Sequence, residues 1–233
     1  MSLAIHRVAT LELAVRPVVW PFAEERRAEI AAHFAEQQRA RPKIWNGRVL
    51  LGRDAVFTDG HLAATYFETD FASFLAWRDW DFPDPAVFNG FGMGALRTSD
   101  GAFVMGEMAH HTANAGRIYF ASGTPDLDDV RDGTLDIPGS VVRELEEETG
   151  LLPADYAAEA DWHCVVTGSA LAMIQILNLD MPGEAARARI EANLARQDEP
   201  ELSAIHLVRR IDDLTPTMPR FVTAFIAQQF ASR

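Results

Sequence analysis

The segment at residues 133–151, GTLDIPGSVVRELEEETGL, constrains the fold of this chain more than any other part of it. Asp136 is a residue type that caps helix N-termini, and Gly150 can end a helix in the left-handed conformation. Between them, Val141 and Leu145 are spaced to lie on one apolar side. The segment therefore predicts a single amphipathic helix with defined ends.

Three carboxylates share one face of this predicted helix. Glu144, Glu147 and Glu148 stand at positions i, i+3 and i+4, so their side chains are neighbours and repel one another. Either the face is a solvated, charged surface, or a cation lies among the carboxylates. A hard divalent ion such as Mg2+, which takes carboxylate and water oxygens, would relieve the repulsion.

Composition and charge exclude several classes of partner and site. The chain has 233 residues, with 34 acidic against 21 basic side chains and a formal charge of -13, so we expect no nucleic-acid partner. Its one cysteine, Cys164, excludes an internal disulfide framework and a four-cysteine zinc site. No apolar stretch approaches the ~20 residues of a membrane span, and the N-terminus lacks the features of a signal peptide. We therefore expect a cytoplasmic protein without a membrane partner.

The centre of the segment matches a known pattern, REUxEExGU, in which U is an aliphatic residue. The matching residues are Arg143, Glu144, Leu145, Glu147, Glu148, Gly150 and Leu151. The segment thereby resembles the Nudix hydrolases. The resemblance implies an α/β/α sandwich in which the pattern forms a loop-helix-loop. It also implies hydrolysis of a diphosphate linked to another group, with Mg2+ or Mn2+ as cofactor.

The same resemblance assigns roles by position. Glu144, Glu147 and Glu148 would be the metal ligands, and Glu147 and Glu148 belong to the implied catalytic set. Arg143 would orient the carboxylates through a salt bridge. The upstream half departs from the family form Gx5Ex7REUxEExGU: the glutamate position is Leu135 and the glycine position is Asp129.

Candidate residues also lie outside the helix. In many Nudix enzymes a glutamate in a late loop acts as general base, and here Glu199 and Glu201 flank Pro200 before a predicted strand. Glu201 is favoured because it is nearer the strand, although a solvated acidic loop is an equally good interpretation of either residue. Arg117 and Gly123 are the candidate substrate-binding residues, since an arginine suits phosphate and Gly123 lies in the turn before the box.

The rest of the chain mixes helices and strands without strict alternation, which favours an α+β class with a mixed sheet. The break at residues 81–85, DFPDP, divides a smaller N-terminal α+β domain (1–85) from a Nudix domain (86–233). Predicted hairpins join 49–57 to 61–67 through Asp59-Gly60 and 91–96 to 102–107 through Asp100-Gly101. Helices are predicted at 23–38, 70–80, 183–196 and 219–230, and further strands at 117–120, 162–167, 171–179 and 204–209.

The chain also resembles the Nudix branch that includes UDP-sugar diphosphatase. The resemblance lies in the N-terminal segment Pro42–Gly47, the aromatic segment at 70–80 and Glu199-Pro200-Glu201. That branch implies cleavage of a UDP-sugar to UMP and a sugar 1-phosphate. Alternatives are hydrolysis of another diphosphate such as ADP-ribose or coenzyme A, a non-catalytic nucleotide sensor, or a plain acidic scaffold. The sequence leaves the base, the sugar and the oligomeric state open.

Overall fold

A computed structural model describes residues 3–231 as one mixed sheet with helices packed on it. The strands are β1 Ala4–Val8, β2 Thr10–Val15, β3 Arg48–Thr58, β4 His61–Asp70, β5 Val87–Arg97, β6 Phe103–Met108, β7 Ile118–Tyr119, β8 Val130–Arg131, β9 Thr134–Leu135, β10 Tyr156–Thr167, β11 Ala170–Leu179 and β12 Leu202–Val208. The helices are α1 Pro21–Glu25, α2 Arg27–Ala40, α3 Phe71–Asp79, α4 Ile137–Thr149, α5 Gly183–Leu194 and α6 Arg220–Ala231.

The long strand β5 joins the two parts of the sheet. Along most of its length it pairs in parallel with β11, while Gly52 and Arg53 of β3 pair with its first residues. The strand order is β1-β10-β11-β5-β3-β4-β2-β9-β8, with β12 and β7 attached through β6. Parallel and antiparallel pairs therefore occur in one sheet, as the sequence predicts.

Helices cover both faces of this sheet at β5. On one face, a Cβ at Gly92 would lie 2.7 Å from Val141 and 2.8 Å from Ile137, so the glycine lets α4 pack directly on the strand. On the other face, the rings of Phe91 and Phe221 lie 5.5 Å apart edge to face, which seats α6. The α+β class and the layered α/β/α arrangement are thus confirmed.

The N-terminal half has an apolar core of its own. Trp20, Phe34, Phe67 and Trp77 are among its buried members, supplied by the N-terminal helices and β3–β4. Backbone hydrogen bonds between strands nevertheless join the two halves, because β1 pairs antiparallel with β10 and β3 pairs with β5. The division at residue 85 stays a prediction.

The two predicted hairpins differ in outcome. The β3–β4 hairpin is confirmed, and Asp59 and Gly60 form its turn with φ of 40° and 77°. The second prediction is wrong beyond its turn, because β5 and β6 pair only at Arg97 and Phe103. One edge of β5 is taken by β11, and on the other edge Gly94 pairs with Ala121, so β6 pairs with β12 instead. Within residues 3–231, no helix is long and apolar enough to cross a membrane.

Candidate active site

Helix α4 presents its carboxylates in a fixed orientation. Its first turn is capped by Asp136, whose Oδ1 accepts a hydrogen bond from the Gly139 amide at 3.0 Å, and it ends at Gly150 with φ of 72°. Val141 and Leu145 are buried in the main core, as predicted from their spacing. With that side fixed against the sheet, the glutamate face points toward the loop at residues 122–124.

Arg143 links three carboxylates at the start of this face. Its Nη2 donates to both oxygens of Asp129, at 3.0 and 3.2 Å, and its Nη1 donates to Glu144 at 2.7 Å. A longer contact of 3.4 Å reaches Glu147. Asp129 is only 3% exposed, so the guanidinium of Arg143 is bound to a buried carboxylate. Burial lowers the pKa of Arg143, but the Asp129 hydrogen bonds and the carboxylate charges raise it overall.

The three box glutamates lie in different environments. The side chain of Glu144 is 14% exposed and that of Glu147 is 60% exposed, while Glu148 is 4% exposed. Burial raises the pKa of Glu144 to about 7, with repulsion from Glu147 adding to the effect. Burial also raises the pKa of Glu148 well above its ordinary value, followed by the charges of Glu144 and Glu201. Glu144 and Glu148 are therefore a repelling, desolvated pair.

The loop before the box supports these two carboxylates. The Ser122 amide donates to Oε1 of Glu148 at 3.4 Å. A Cβ placed on Gly123 would lie 2.2 Å from Oε1 of Glu144, so a glycine is needed for this close approach. Gly123, predicted from sequence as a substrate-binding residue, thus lies directly against a predicted metal ligand.

The two late-loop acids behave differently. Glu201 is exposed just before β12, and its charge raises the pKa of both Glu144 and Glu148, so it lies within electrostatic reach of them. Glu199 instead pairs with Lys43, and the hydrogen bond from Lys43 lowers the pKa of its carboxyl. The structure therefore brings Glu201, and not Glu199, toward the box helix.

A cleft of about 460 Å³ opens beside these residues. Phe71 and Phe74 of α3 line it with apolar rings, and residues of β5 and the start of α6 line it as well. Tyr119 and residues 122–124 also line it, and Ser122 and Gly123 lie against Glu148 and Glu144. Burial raises the pKa of Tyr119, and the charges of Glu148, Glu201 and Glu144 raise it further.

Both predicted substrate-binding residues, Arg117 and Gly123, line this cleft. Sequence reasoning placed Asp129 at the glycine position of the upstream pattern but gave it no role, and it missed Arg220, which lies far from the box. The only signal for Asp129 was its place in the acidic segment 126–132, DLDDVRD, before the helix. Arg220 had no local signal.

The donor set suits a hard divalent cation, although the carboxylates do not converge into a ready centre. Among residues 3–231, no group of three histidine, cysteine or acidic side chains is arranged to hold a metal ion. Glu144 and Glu148 still offer desolvated carboxylate oxygens beside a glycine that leaves them space. Oxygen ligands of this kind are those that Mg2+ and Mn2+ prefer, and a cation would offset the repulsion within the pair.

No protein-family profile matches the chain, and no curated protein matches it. Among solved structures, the chain is similar to the Nudix hydrolase RenU from M. smegmatis, with a TM-score of 0.37 and 13% identity over 61% of this chain and 83% of that chain. It is similar to the MutT protein from Methanosarcina mazei Go1, with a TM-score of 0.39 and 16% identity over 62% and 94% of the two chains. It is also similar to a Nudix hydrolase from Nitrosomonas europaea, with a TM-score of 0.38 and 15% identity over 62% and 90%. Two of these three neighbours are Nudix hydrolases by name, the family that residues 143–151 resemble.

Proposed function

We propose that this chain is a Mg2+-dependent, Nudix-type diphosphatase that cuts a nucleoside diphosphate linked to another group, with UDP-sugars as the preferred class. The observation that carries the proposal is that Glu144 and Glu148 lie against Gly123 and Ser122, two residues that line the cleft. The complete REUxEExGU motif supports a catalytic role for these carboxylates. The cleft supplies a place for the substrate.

A bound divalent cation would offset the negative charge that surrounds the substrate. Two phosphates brought beside Glu144 and Glu148 would be repelled by them and by the net charge of -13. Mg2+, when bound by Glu144, Glu148 and the more exposed Glu147, supplies the positive charge that binds and polarises the diphosphate. Mn2+ has the same ligand preferences and can replace it. Arg143 holds Glu144 in position for this binding.

Glu201 is the proposed general base. It is exposed, lies within electrostatic reach of both buried glutamates, and has no ion pair within the described part of the chain. Its carboxylate accepts a proton from the attacking water as the water oxygen bonds to one phosphorus. The bond from that phosphorus to the bridging oxygen breaks, and the bridging oxygen leaves with the other phosphate. A UDP-sugar thus gives UMP and a sugar 1-phosphate.

The cleft supports a substrate with more than a diphosphate. Asn89 and Met93 of β5 both line it, and at about 3.3 Å per residue their four-residue separation spans about 13 Å. The amide of Gly94, next to Met93, donates to the carbonyl of Ala121, which precedes Ser122, so the Met93 end of this stretch is the end nearer the carboxylates. The aromatic side chains of Phe71 and Phe74 form a surface on which a base or sugar can pack.

A substrate panel with Mg2+ tests the proposal. UDP-glucose and UDP-galactose should release UMP, detected chromatographically, and EDTA should abolish the release. ADP-ribose, dinucleoside polyphosphates and coenzyme A form the comparison set. Efficient cleavage of one of these with both UDP-hexoses untouched would overturn the substrate class and leave the diphosphatase proposal intact.

A non-catalytic nucleotide sensor is the second candidate. It is favoured by one observation: Leu135 and Asp129 stand where the upstream half of the family pattern has glutamate and glycine. Tight binding of a nucleotide without turnover, at any Mg2+ or Mn2+ concentration, would support the sensor over the enzyme.

A further inference from the structure

Two unpaired arginines line the same cleft. Within residues 3–231, the arginines whose guanidinium groups have neither a hydrogen bond nor an ion pair are Arg39, Arg117 and Arg220. Arg117 and Arg220 line the cleft, while Arg39 is exposed on α2 and does not line it. The chain has 34 acidic against 21 basic side chains, so an arginine can usually find a carboxylate partner. Two arginines without such a partner at one cleft therefore indicate that the cleft binds an anion from outside the protein.

The backbone holds these two arginines near each other. The amide of Ile118, next to Arg117, donates to the carbonyl of Thr217 at 3.3 Å, and Thr217 precedes Arg220 by three residues. Beyond Arg220, helix α6 is anchored by Val222, Phe225 and Ile226, all fully buried. Both arginines therefore line the cleft close to a backbone hydrogen bond that joins their two segments.

Arg220 is not placed to stabilise its own helix. It is the first residue of α6, and the first turn of that helix contains no acidic residue. A cation at a helix N-terminus opposes the helix dipole and is mildly unfavourable. Its position is therefore better explained by an interaction with something outside the helix.

We propose that Arg117 and Arg220 form a two-cation clamp for the substrate diphosphate. The clamp binds the phosphate that lies farther from Glu144 and Glu148. The inference rests on the proposed function, because it takes the substrate to be a diphosphate with one phosphate near Glu144 and Glu148. The clamp neutralises the second phosphate with planar, forked donors, which suit phosphate oxygens. Arg220 is thereby a substrate-binding residue of this cleft.

The test uses methylenediphosphonate, a diphosphate analogue that hydrolysis cannot cut, with the full chain and Mg2+. Binding is measured by calorimetry for Arg117→Gln, Arg220→Gln and the matched control Arg39→Gln. Each cleft variant should lose about tenfold or more in affinity, since charge-assisted hydrogen bonds are lost, while the control binds as the unmodified chain does. Melting temperature should not fall in Arg220→Gln, which separates lost binding from lost structure.

The outcomes are distinguishable. Unchanged diphosphonate affinity in Arg220→Gln would overturn the clamp, and so would an equal loss in Arg39→Gln. If only a nucleotide sugar binds more weakly while diphosphonate binding is unchanged, Arg220 contacts another part of the substrate and the clamp is wrong. If Arg220→Gln loses diphosphonate affinity but the chain cuts no nucleotide sugar, the clamp stands and the proposed substrate falls.

Discussion

Arg143 binds Asp129 through both carboxylate oxygens, at 3.0 and 3.2 Å, and turns its other nitrogen to Glu144 at 2.7 Å. The buried acid belongs to the acidic segment 126–132 before the box, just after the turn that contains Gly123. It anchors an arginine that in turn fixes a candidate metal ligand. This segment therefore gives Arg143 and Glu144 structural support, although the upstream half of the pattern is altered in this sequence.

The first prediction follows from this contact. Asp129→Asn removes the charge that holds Arg143, so Glu144 loses its fixed position. Metal affinity and turnover should fall about 10- to 100-fold, the usual cost of losing a residue that orients a ligand. Mg2+ binding is measured by titration calorimetry and turnover by UMP release.

Asp128→Asn is the matched control, because Asp128 neighbours Asp129 but is exposed. Asp129→Asn also leaves a charge-assisted pair broken, so unfolding should become easier by about 1–3 kcal/mol. An Asp129→Asn protein with full metal affinity would contradict the positioning role even if its stability is lower.

The second prediction concerns Glu148. Glu148→Gln removes a buried carboxyl whose ionisation is disfavoured by burial and by the charges of Glu144 and Glu201, so near neutral pH the metal-free protein should melt at a higher temperature while turnover falls by orders of magnitude. Glu146→Gln, on an exposed position of the same helix, should change neither quantity. Melting curves in EDTA and UMP release provide the measurements. A fall in metal-free melting temperature for Glu148→Gln would mean that the pair is not repulsive.

The third prediction concerns pH. The pKa of Glu144 is raised from 4.5 to about 7, and that of Glu148 is also raised, so the folded protein holds protons that the unfolded chain releases. Stability of the metal-free protein is therefore greatest at low pH with respect to these groups, and it is lost as pH rises from about 4.5 through about 7. Denaturant unfolding in EDTA across this window measures the loss.

Mg2+ should reverse the trend above pH 7, because it binds the ionised carboxylates of the folded state. The double variant Glu144→Gln/Glu148→Gln should flatten the pH dependence in EDTA and abolish the Mg2+ effect. A metal-free protein whose stability rises across this window would contradict the assigned direction of the shifts.

Short-range signals predicted much of this structure because their physics is local. The Asp59-Gly60 turn and the ends of α4 at Asp136 and Gly150 each depend on a few neighbouring residues. The pairing of β6 with β12 depends on which strand edges are still unpaired in the folded sheet. A short stretch of sequence does not contain this information. The contact of Asp129 with Arg143 likewise spans a turn whose path the sequence does not specify.

The last prediction concerns the general base and uses the two late-loop acids as a matched pair. Glu201→Gln removes a free carboxylate near Glu144 and Glu148, whereas Glu199→Gln removes one that is already paired with Lys43. Turnover of UDP-glucose should therefore fall by about 100-fold or more in Glu201→Gln, within the range for loss of a general base, and change little in Glu199→Gln. The rate of UMP release at saturating substrate measures the effect. Equal losses in the two variants would assign the loop a structural role and leave the base elsewhere.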